Sequence, residues 1–448
     1  MNLAVLPDRR AGHDPDGPAL ADEHSEVNNT QLLDAVGRAA AKLSDVGVAG
    51  GDVVAVMLPN NVTLVVALLA AWRLGAVVTP INPSLAPAEV NYQLADAGAK
   101  VLIVDAAMGF PAAVPAAVRT HELTAGDTVR AADDVSDDVL ALLIYTSGTT
   151  GQPKGVMLDH ANFSVRCRMT FGSVEVTSAD RSLLILSLFH FNGIFIGTLS
   201  PLLAGGSANI VGRFSPKTFF DDLERSKATY FSAVPTIYTM LADLPPEVKP
   251  DTSAVRFAIC GAAPASVELL EKFERRYAIS LLEGYGLSDG TRASVVNPLR
   301  GPRKPGSVGV PLPGQKIRIA EADGNDVAAG EGGEVLIKGP NVMRGYLHRP
   351  EETAKTVVDG WLCTGDVGHL DEDGYLILVD RAKDMITRVG ENIYPKEIEA
   401  VVYEIPEITE AAVVGRADEI YGEEPVLFVS LNSGAAIADH VRSKLSKY

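Results

Sequence analysis

A loop rich in hydroxyl groups and glycine follows an apolar segment near residue 145. Residues 142–145 are apolar, which predicts a buried strand, and the ten residues after them include four hydroxyl side chains, three glycines and one cation, Lys154. Backbone N–H groups in such a loop form an anion-binding concavity, to which glycine gives close approach and hydroxyl groups add donors. No Gly-Lys-Ser/Thr ending of a Walker motif is present. The loop therefore predicts a phosphate site, and the alternative, a flexible linker, is disfavoured between two apolar core segments.

Further motifs along the chain carry residue types that bind nucleotides. They are CGAAP at 260–264, EGYGLSD at 283–289, GSVGVPLPG at 306–314, GWLCTGD at 360–366, DRAKDMI at 380–386 and GENIYPKEIE at 390–399. Taken singly, each has an ordinary explanation. Tyr285 is typical of a core aromatic residue, Asp366 after a glycine is typical of a turn, and Arg381 with Asp384 is typical of a surface ion pair. Only their joint order favours a functional interpretation.

The charge balance excludes two classes of partner. The chain has 57 acidic and 39 basic residues, a formal net charge of −18. Nucleic-acid binding and electrostatic membrane binding both need basic surfaces, so neither is expected. An anionic ligand held by a few local cations remains compatible with this composition.

Cysteine usage and apolar runs indicate a cytoplasmic protein without a transmembrane segment. The three cysteines are widely spaced and offer no disulfide framework or zinc pattern. The N-terminal residues contain no apolar stretch of signal-peptide length. The longest apolar run, 62–72, is about half of the ~20 residues that a membrane span needs, so it predicts a core helix.

Alternating apolar strands and helical segments must position these motifs. The pattern predicts an α/β fold, with a large N-terminal domain (1–382) of mostly parallel, helix-covered sheets. From about residue 298 the chain becomes rich in Gly, Pro and short strands, which predicts a β-rich subdomain (298–382). Residues 383–448 predict a small α+β C-terminal domain that ends early. One helix is expected to be capped by Thr30, and another to start at the Ser-Pro pair that begins at Ser215. One strand is expected at 182–188.

The seven motifs resemble, in order and over nearly the whole chain, those of the adenylate-forming (ANL) superfamily, in its branch of acyl-CoA synthetases or fatty-acid–CoA ligases. The resemblance implies an AMP-forming acid–thiol ligase that joins a carboxylic acid to AMP and then to CoA, with ATP, Mg²⁺ and CoA as cofactors. Catalytic roles follow for Thr146, Lys154 and Asp289, and magnesium contacts for Thr146 and Asp289. The implied ATP- and AMP-binding residues are Thr146, Ser147, Gly148, Thr149, Thr150, Gly151, Lys154, Gly261, Ala262, Ala263, Glu283, Gly284, Tyr285, Gly286, Ser288, Asp366 and Arg381.

The same resemblance implies where the acid and CoA bind. The acyl pocket is expected at His190, Phe191, Gly193, Cys260 and Gly261. Amino-acid-activating relatives carry Phe-Asp where this chain has Phe-His, so an apolar, fatty acid is expected rather than an amino acid, whose buried ammonium would need a partner. Lys383 is the implied hinge. Val389, Gly390 and Glu391 are the implied CoA tunnel.

Three positions depart from the family's pattern. Asp289 stands where glutamate is usual, and Val389 where glycine is usual. The family's Ser-Gly-Lys motif does not occur in residues 1–448, in which Lys444 and Lys447 do not match it. Since loss of one preorganised donor costs ~10²–10³ in rate, weak adenylation is expected, with better transfer of a preformed acyl-adenylate.

Alternative functions stay open from the sequence. They are an acyl-AMP ligase that loads a carrier protein, a luciferase-type oxygenase, and a non-catalytic acyl-adenylate or nucleotide-binding protein. Relatives that resemble long-chain acyl-AMP ligases often carry an extra insertion before the hinge. No long extra segment lies between 345 and 381 in this sequence, so the resemblance favours CoA over a carrier protein. The oligomeric state, monomer or homodimer, is left open.

Overall fold

The structure is a computed structural model, and it describes most of the chain. The described residues are 2–105, 116–146, 152–263, 265–291, 294–321, 324–328, 330–381, 386–388, 391–393, 395–403, 405, 408–418 and 422–431.

The helices are short to medium in length. They are α1 (Leu6–His13), α2 (Asn29–Asp45), α3 (Val62–Arg73), α4 (Pro87–Asp96), α5 (Thr120–Leu123), α6 (His160–Val174), α7 (Phe191–Ile194), α8 (Ser200–Ala204), α9 (Phe219–Ser226), α10 (Pro235–Ala242), α11 (Val267–Tyr277), α12 (Pro350–Thr356) and α13 (Pro395–Tyr403). A π-helical turn (Phe195–Leu199) joins α7 to α8, and a 3₁₀ turn occupies Ser288–Gly290.

Strands occur throughout. They are β1 (Pro18–Ala21), β2 (Glu26–Asn28), β3 (Val53–Met57), β4 (Val77–Pro80), β5 (Ala99–Val104), β6 (Ala116–Arg119), β7 (Leu140–Thr146), β8 (Lys154–Asp159), β9 (Arg181–Leu184), β10 (Ser207–Ile210), β11 (Tyr230–Ala233), β12 (Phe257–Cys260), β13 (Leu281–Tyr285), β14 (Val295–Val296), β15 (Val310–Pro311), β16 (Lys316–Ala320), β17 (Gly333–Lys338), β18 (Gly345–Tyr346), β19 (Val357–Val358), β20 (Trp361–Leu370), β21 (Leu376–Arg381), β22 (Ile386–Arg388), β23 (Glu391–Ile393), β24 (Ile408–Asp418) and β25 (Gly422–Leu431).

Two large, mostly parallel sheets form the N-terminal part, which confirms the predicted α/β fold. One has the order β18-β8-β7-β4-β3-β5-β6 and is parallel from β7 to β6. The other has the order β15-β14-β13-β12-β11-β9-β10-β1-β2 and is parallel from β13 to β1. Antiparallel strands complete their edges. Parallel sheets of this kind place the functional loops at the carboxyl ends of the strands.

Smaller sheets follow in the second half of the chain. Strands β16, β17, β19, β20 and β21 form one antiparallel sheet. Strands β22 to β25 form a second antiparallel sheet, and α13 packs against β24. These are the β-rich and the α+β regions that the sequence indicated.

Helix α3 lies in the centre of the main core and is the core helix expected from the apolar run. Its Trp72 is fully buried and donates from Nε1 to the carbonyl of Ala141 at 2.7 Å. Arg73, at the end of α3, is buried and bonded to Asp8 of α1 at 3.0 Å. Among the described residues, no helix is long and apolar enough to cross a membrane.

Helix α1 is also tied to a distant part of the chain through its buried Arg10. The guanidinium of Arg10 donates to the carbonyls of Leu202 and Gly206, the latter at 2.7 Å. Together with the Asp8–Arg73 pair, these contacts hold α1 against both α3 and the segment after α8.

Three local predictions are corrected. Helix α2 begins at Asn29 and is capped by Asn28, because Asn28 and Gln31 form a reciprocal capping box that Thr30 cannot supply. Helix α9 begins at Phe219, since the residues from Ser215 form a turn instead.

The strand predicted at 182–188 ends at Leu184. Beyond it, the chain bonds to a side chain rather than to a neighbouring strand. Asn60 donates to the carbonyl of Leu186 at 3.0 Å and accepts from the N–H of Leu188 at 2.8 Å.

Candidate active site

The adenosine motifs meet at the carboxyl ends of two adjacent parallel strands. Strands β12 and β13 pair in register, with Cys260 opposite Glu283. The two backbones approach closely here, because a Cβ on Gly261, just after β12, would lie 3.0 Å from the carbonyl oxygen of Gly284 in β13. Ala262 adopts a φ of +72°, a left-handed conformation that costs about 1–3 kcal/mol for a residue other than glycine. Such strain is typical of functional loops, and Ala263 beside it is exposed.

Tyr285 and Asp366 come from different sheets and form a hydrogen bond. The Tyr285 hydroxyl donates to Asp366 at 2.5 Å. Asp366 is buried on β20, and its backbone N–H donates to the Thr364 hydroxyl at 3.0 Å. Arg381 is its register partner on β21, so its backbone lies beside Asp366. The structure thus brings together Tyr285, which the resemblance implies for stacking on adenine, and Asp366, which it implies for the ribose hydroxyls.

Lys154 lies at the first position of β8, directly opposite Thr146 at the end of β7. Residues 147–151, which complete the predicted phosphate loop (Ser147, Gly148, Thr149, Thr150 and Gly151), lie outside the described residues. The ammonium of Lys154 forms an ion pair with Glu352 of α12 and lies 5.0 Å from the centroid of the Tyr346 ring. A carboxylate therefore contacts the cation that the sequence assigns to phosphate.

Asp289 lies in the 3₁₀ turn, is 7% exposed, and accepts a hydrogen bond from the Tyr346 hydroxyl. Burial, and then the neighbouring Asp289, raises the pKa of Tyr346 well above its ordinary value. Tyr346 thereby bridges Asp289 and Lys154. Sequence reasoning missed Tyr346, and its only signal was a Gly-Tyr pair, a weak indication of any role.

A Mg²⁺ ion fits the chemistry of this donor set. Asp289 and Thr146 offer a carboxylate and a hydroxyl oxygen, the hard ligands that Mg²⁺ prefers together with substrate phosphates and water. No group of three or more His, Cys, Asp or Glu that could hold a metal occurs in the described part of the chain. Phosphate oxygens of a bound nucleotide and water would complete the coordination of such an ion.

A small cavity of about 50 Å³ adjoins Gly261 and Gly284. Its lining combines aromatic walls, three small polar side chains and one cation. Its lining includes Arg166, Phe191, Asn192, Phe195, Gly261, Ala262, Gly284 and Gly286. Two predicted pocket residues, Phe191 and Gly261, are thus among them. Arg166 was missed, although it lies three residues after Phe163 and four before Thr170 on one face of α6.

The other predicted pocket residues lie outside this lining. His190 is exposed and its ring lies 4.6 Å from that of Phe189. Gly193 is buried in α7, where a Cβ would come within 2.4 Å of the Ser187 carbonyl oxygen. Cys260 is a buried free thiol, and its burial, with Glu283 nearby, raises its pKa well above the ordinary value.

Glu283 and Ser288 are buried at either end of the EGYGLSD motif. Glu283 is 8% exposed, and burial raises the pKa of its carboxyl to about 8, an effect that a hydrogen bond from the Gly306 backbone partly offsets. At neutral pH this carboxyl is therefore largely protonated.

The predicted hinge and part of the predicted CoA tunnel (Lys383, Val389 and Gly390) lie outside the described residues. Glu391 begins β23 and pairs with Arg388 of β22. The side chain of Arg381 is likewise not described.

Comparison with known proteins agrees with this arrangement. The AMP-binding enzyme family matches residues 7–347, and the AMP-binding enzyme C-terminal domain matches residues 397–448. A feruloyl-CoA synthase of Amycolatopsis sp is 37% identical over 429 residues, which cover 94% of this chain and 87% of the relative. An oxalate–CoA ligase of Arabidopsis thaliana is 35% identical over 441 residues, covering 92% and 85%.

A solved structure shares the fold over the whole chain. The crystal structure of ATP-bound MatB from Rhodopseudomonas palustris has a TM-score of 0.92 and 31% identity, and the match covers 100% of this chain and 93% of that one. Together, the meeting of the nucleotide motifs and these similarities show that the chain belongs to the AMP-binding enzyme family of adenylate-forming proteins, in its acyl-CoA synthetase branch, whose CoA ligases act on carboxylic acids with ATP, Mg²⁺ and CoA.

Proposed function

We propose that this chain is an AMP-forming carboxylate–CoA ligase in which the residues assigned above carry the two half-reactions. The observation that carries the proposal is the hydrogen bond between Tyr285 and Asp366 beside Gly261 and Ala262. An aromatic ring beside glycine backbone is suited to stack on adenine, and a buried carboxylate is suited to accept hydrogen bonds from ribose hydroxyls. Asp366 is the predicted ribose acceptor, and Tyr285 holds it in place.

In the first half-reaction, a carboxylate oxygen of the acid attacks the α-phosphorus of ATP. The bond from that phosphorus to the bridging oxygen breaks, and pyrophosphate leaves with the electron pair. Lys154 places a positive charge beside the phosphates, once they replace Glu352 as its partner. Bound Mg²⁺, held by Thr146 and Asp289, would supply further positive charge to the phosphate oxygens.

In the second half-reaction, the CoA sulfur attacks the acyl carbon of the acyl-adenylate. The bond from that carbon to the AMP oxygen breaks, AMP leaves, and the thiol proton passes to solvent. We assign the approach of CoA to the loop with Val389, Gly390 and Glu391, and the change of domain position between half-reactions to a hinge at Lys383.

The identity of the acid is the open part of the proposal. The sequence predicts an apolar, fatty acid. Relatives named for acids as different as ferulate and oxalate support a carboxylic acid without favouring a fatty one.

The test is thioester formation from ATP, CoA and a panel of acids, read by mass spectrometry together with release of AMP and pyrophosphate. Acyl-CoA with one AMP per thioester supports the ligase. Acyl-AMP that accumulates in the presence of CoA, and is consumed by an acyl carrier protein, would replace it with the carrier-loading alternative. Oxygen consumption with an adenylate would favour a luciferase-type oxygenase.

An assay of ATP–pyrophosphate exchange distinguishes an enzyme from a protein that only binds nucleotides. We keep as a prediction that the polypeptide of residues 1–448 exchanges slowly but converts synthetic acyl-AMP and CoA to acyl-CoA. Binding of acyl-AMP without either reaction would leave the non-catalytic alternative.

A further inference from the structure

Arg166 is a buried cation that has no counter-charge among the described residues. It is 3% exposed on α6, and no described residue forms a hydrogen bond with its Nε or Nη1 atom. Its guanidinium carbon lies 5.2 Å from the centroid of the Phe195 ring. Other buried arginines of the described chain are satisfied, since Arg73 pairs with Asp8 and Arg10 donates to carbonyls. Arg166 is therefore an exception that the fold alone does not explain.

Arg166 keeps its charge at neutral pH. Burial lowers the pKa of its guanidinium to about 10, which is still well above the pH of a cell. An ionised group taken out of water without a partner is costly, and the ring of Phe195 offsets only part of this cost. The protein thus maintains a desolvated positive charge at this position.

The residue that carries this charge is part of the wall of the cavity next to Gly261. Arg166 lines the cavity together with Phe191, Phe195, Gly261 and Gly284. None of the described lining residues is an aspartate or a glutamate. The cavity volume of about 50 Å³ corresponds to roughly three to five groups the size of a water molecule, at ~10–15 Å³ each. A small group that brings its own negative charge fits both the volume and the cation.

We propose that the acid activated by this protein is short and carries a second anionic group, and that the Arg166 guanidinium binds this group inside the cavity. The inference rests on the proposed ligase function and names its substrate class. The first carboxylate of such an acid becomes the mixed anhydride with AMP, while the second stays ionised at the far end of the acyl group. Arginine is suited to that end, because its planar fork donates two parallel hydrogen bonds to a carboxylate or a sulfonate.

A long apolar acyl chain fits this site poorly. It would displace water from the cavity and leave the guanidinium charge without any partner. The apolar side chains around Arg166 are compatible with the proposal. In an apolar environment the attraction between two opposite charges is stronger once the pair is formed.

The first experiment measures binding, which needs no turnover. The probes are acyl-sulfamoyl adenosines with a hemisuccinyl group, a 3-sulfopropionyl group, a neutral 4-oxopentanoyl group of nearly the same shape as hemisuccinyl, and an octanoyl group. We expect the hemisuccinyl or the sulfopropionyl compound to bind at least about 30-fold more tightly than the 4-oxopentanoyl compound. The ranking of the first two distinguishes a carboxylate from a sulfonate. Equal or tighter binding of the neutral or octanoyl compound would overturn the proposal.

Substitutions then assign the preference to Arg166. In Arg166→Met the preference for the anionic compounds should disappear, whereas Arg168→Met, which changes an exposed arginine on the same helix, should preserve it. Arg166→Met removes an unpaired buried charge, so it should melt no lower than the unsubstituted protein. Arg166→Lys keeps a positive charge without the planar guanidinium and should retain part of the preference. This variant provides a second test if the methionine variant does not fold. An equal loss for charged and neutral compounds would assign Arg166 to the phosphates and would reject the inference.

Turnover with free acids separates this inference from the proposed function. Succinate and malonate are compared with butyrate and octanoate in the thioester assay. Preferential formation of thioesters from butyrate or octanoate would contradict the proposed second anionic group. It would still support the proposed ligase function. Selective binding of the anionic adenylates, with no thioester from any free acid or from synthetic acyl-AMP and CoA, would reject the ligase and leave the recognition by Arg166 intact.

Discussion

The Tyr285 hydroxyl donates a 2.5 Å hydrogen bond to Asp366 across the junction of two sheets. The bond makes the aromatic ring and the carboxylate one unit, although 81 residues separate them in the chain. Each residue therefore orients the other before the nucleotide arrives, and preorganisation of this kind lowers the ordering cost of binding.

Removal of this bond should weaken ATP binding and spare the fold. Tyr285→Phe keeps the ring, and we expect the Kd for ATP to rise about 5- to 20-fold, since a hydrogen bond to a charged group contributes ~1.5–3 kcal/mol, part of which water restores. Isothermal titration calorimetry measures the change. Tyr403→Phe, which alters an exposed tyrosine of α13, is the matched control. An unchanged Kd in Tyr285→Phe would mean that the bond does not belong to the adenosine site.

Glu352 should compete with ATP for Lys154. The ion pair between them occupies the cation that the phosphates need. Glu352→Gln removes the competing charge, so we expect the Kd for ATP to fall several-fold, whereas Lys154→Met should raise it by at least about tenfold. Glu351→Gln alters the exposed neighbour on α12 and should change neither value. A weaker affinity in Glu352→Gln would show that Glu352 supports the phosphate site.

Tyr346 should act on the metal through Asp289. Tyr346→Phe removes the hydroxyl that donates to the Asp289 carboxylate and keeps the ring beneath Lys154. We expect kcat to fall about tenfold, and the Mg²⁺ concentration for half-maximal rate to change by a similar factor. The reason is that the Asp289 carboxylate loses the hydrogen bond that orients it. A structural role alone would lower the melting temperature and leave the Mg²⁺ dependence unchanged.

Glu283 should make the protein less stable as the pH rises from about 5 to about 8. Its folded-state pKa of about 8 lies above the ordinary value of 4.5, so in this window the folded protein holds a proton that the unfolded chain has lost. The free energy of unfolding then falls by up to ~1.4 kcal/mol per pH unit, and the loss is complete above the folded pKa.

Urea unfolding of Glu283→Gln tests this slope. The isosteric amide removes the titration, so the difference in unfolding free energy between the two proteins should change steadily from pH 5 to pH 8. The comparison cancels the contributions of other groups, such as His160, whose pKa burial lowers to about 4. Glu268→Gln, at an exposed glutamate of α11, should show no such change. A pH-independent difference would place the Glu283 carboxyl in an ionised, solvated state.

Local patterns predicted the elements that depend on local physics. The strand β3 and the helix α3 follow from short apolar runs with turn signals on either side, and the order of the glycine-rich motifs indicated the nucleotide site. Helix α2 starts one residue before the predicted cap, because Asn28 and Thr30 have similar cap propensities and only the bond to Gln31 selects between them.

Residues that act through long-range contacts could not be predicted in this way. Tyr346 reaches Asp289 across 57 residues, and its role depends on β18 pairing with β8. Arg166 occupies a core-facing position of α6, between Phe163 and Thr170, where a charged residue is itself a signal. That signal shows a buried cation but not which cavity it lines, since the walls of the cavity come from six separate segments of the chain.

The attachments of α1 have a consequence for the order in which the chain is assembled. Its guanidinium partners, the carbonyls of Leu202 and Gly206, are 192 and 196 residues away from Arg10. At ~5–20 residues per second, a ribosome would make these partners about 10–40 seconds after the helix itself. During that interval α1 can already pack on α2 and pair with Arg73, because both precede residue 74 in the chain. Only the last attachment of α1 forms late, since the Arg10 guanidinium lacks these two carbonyl acceptors until about residue 206 has been made.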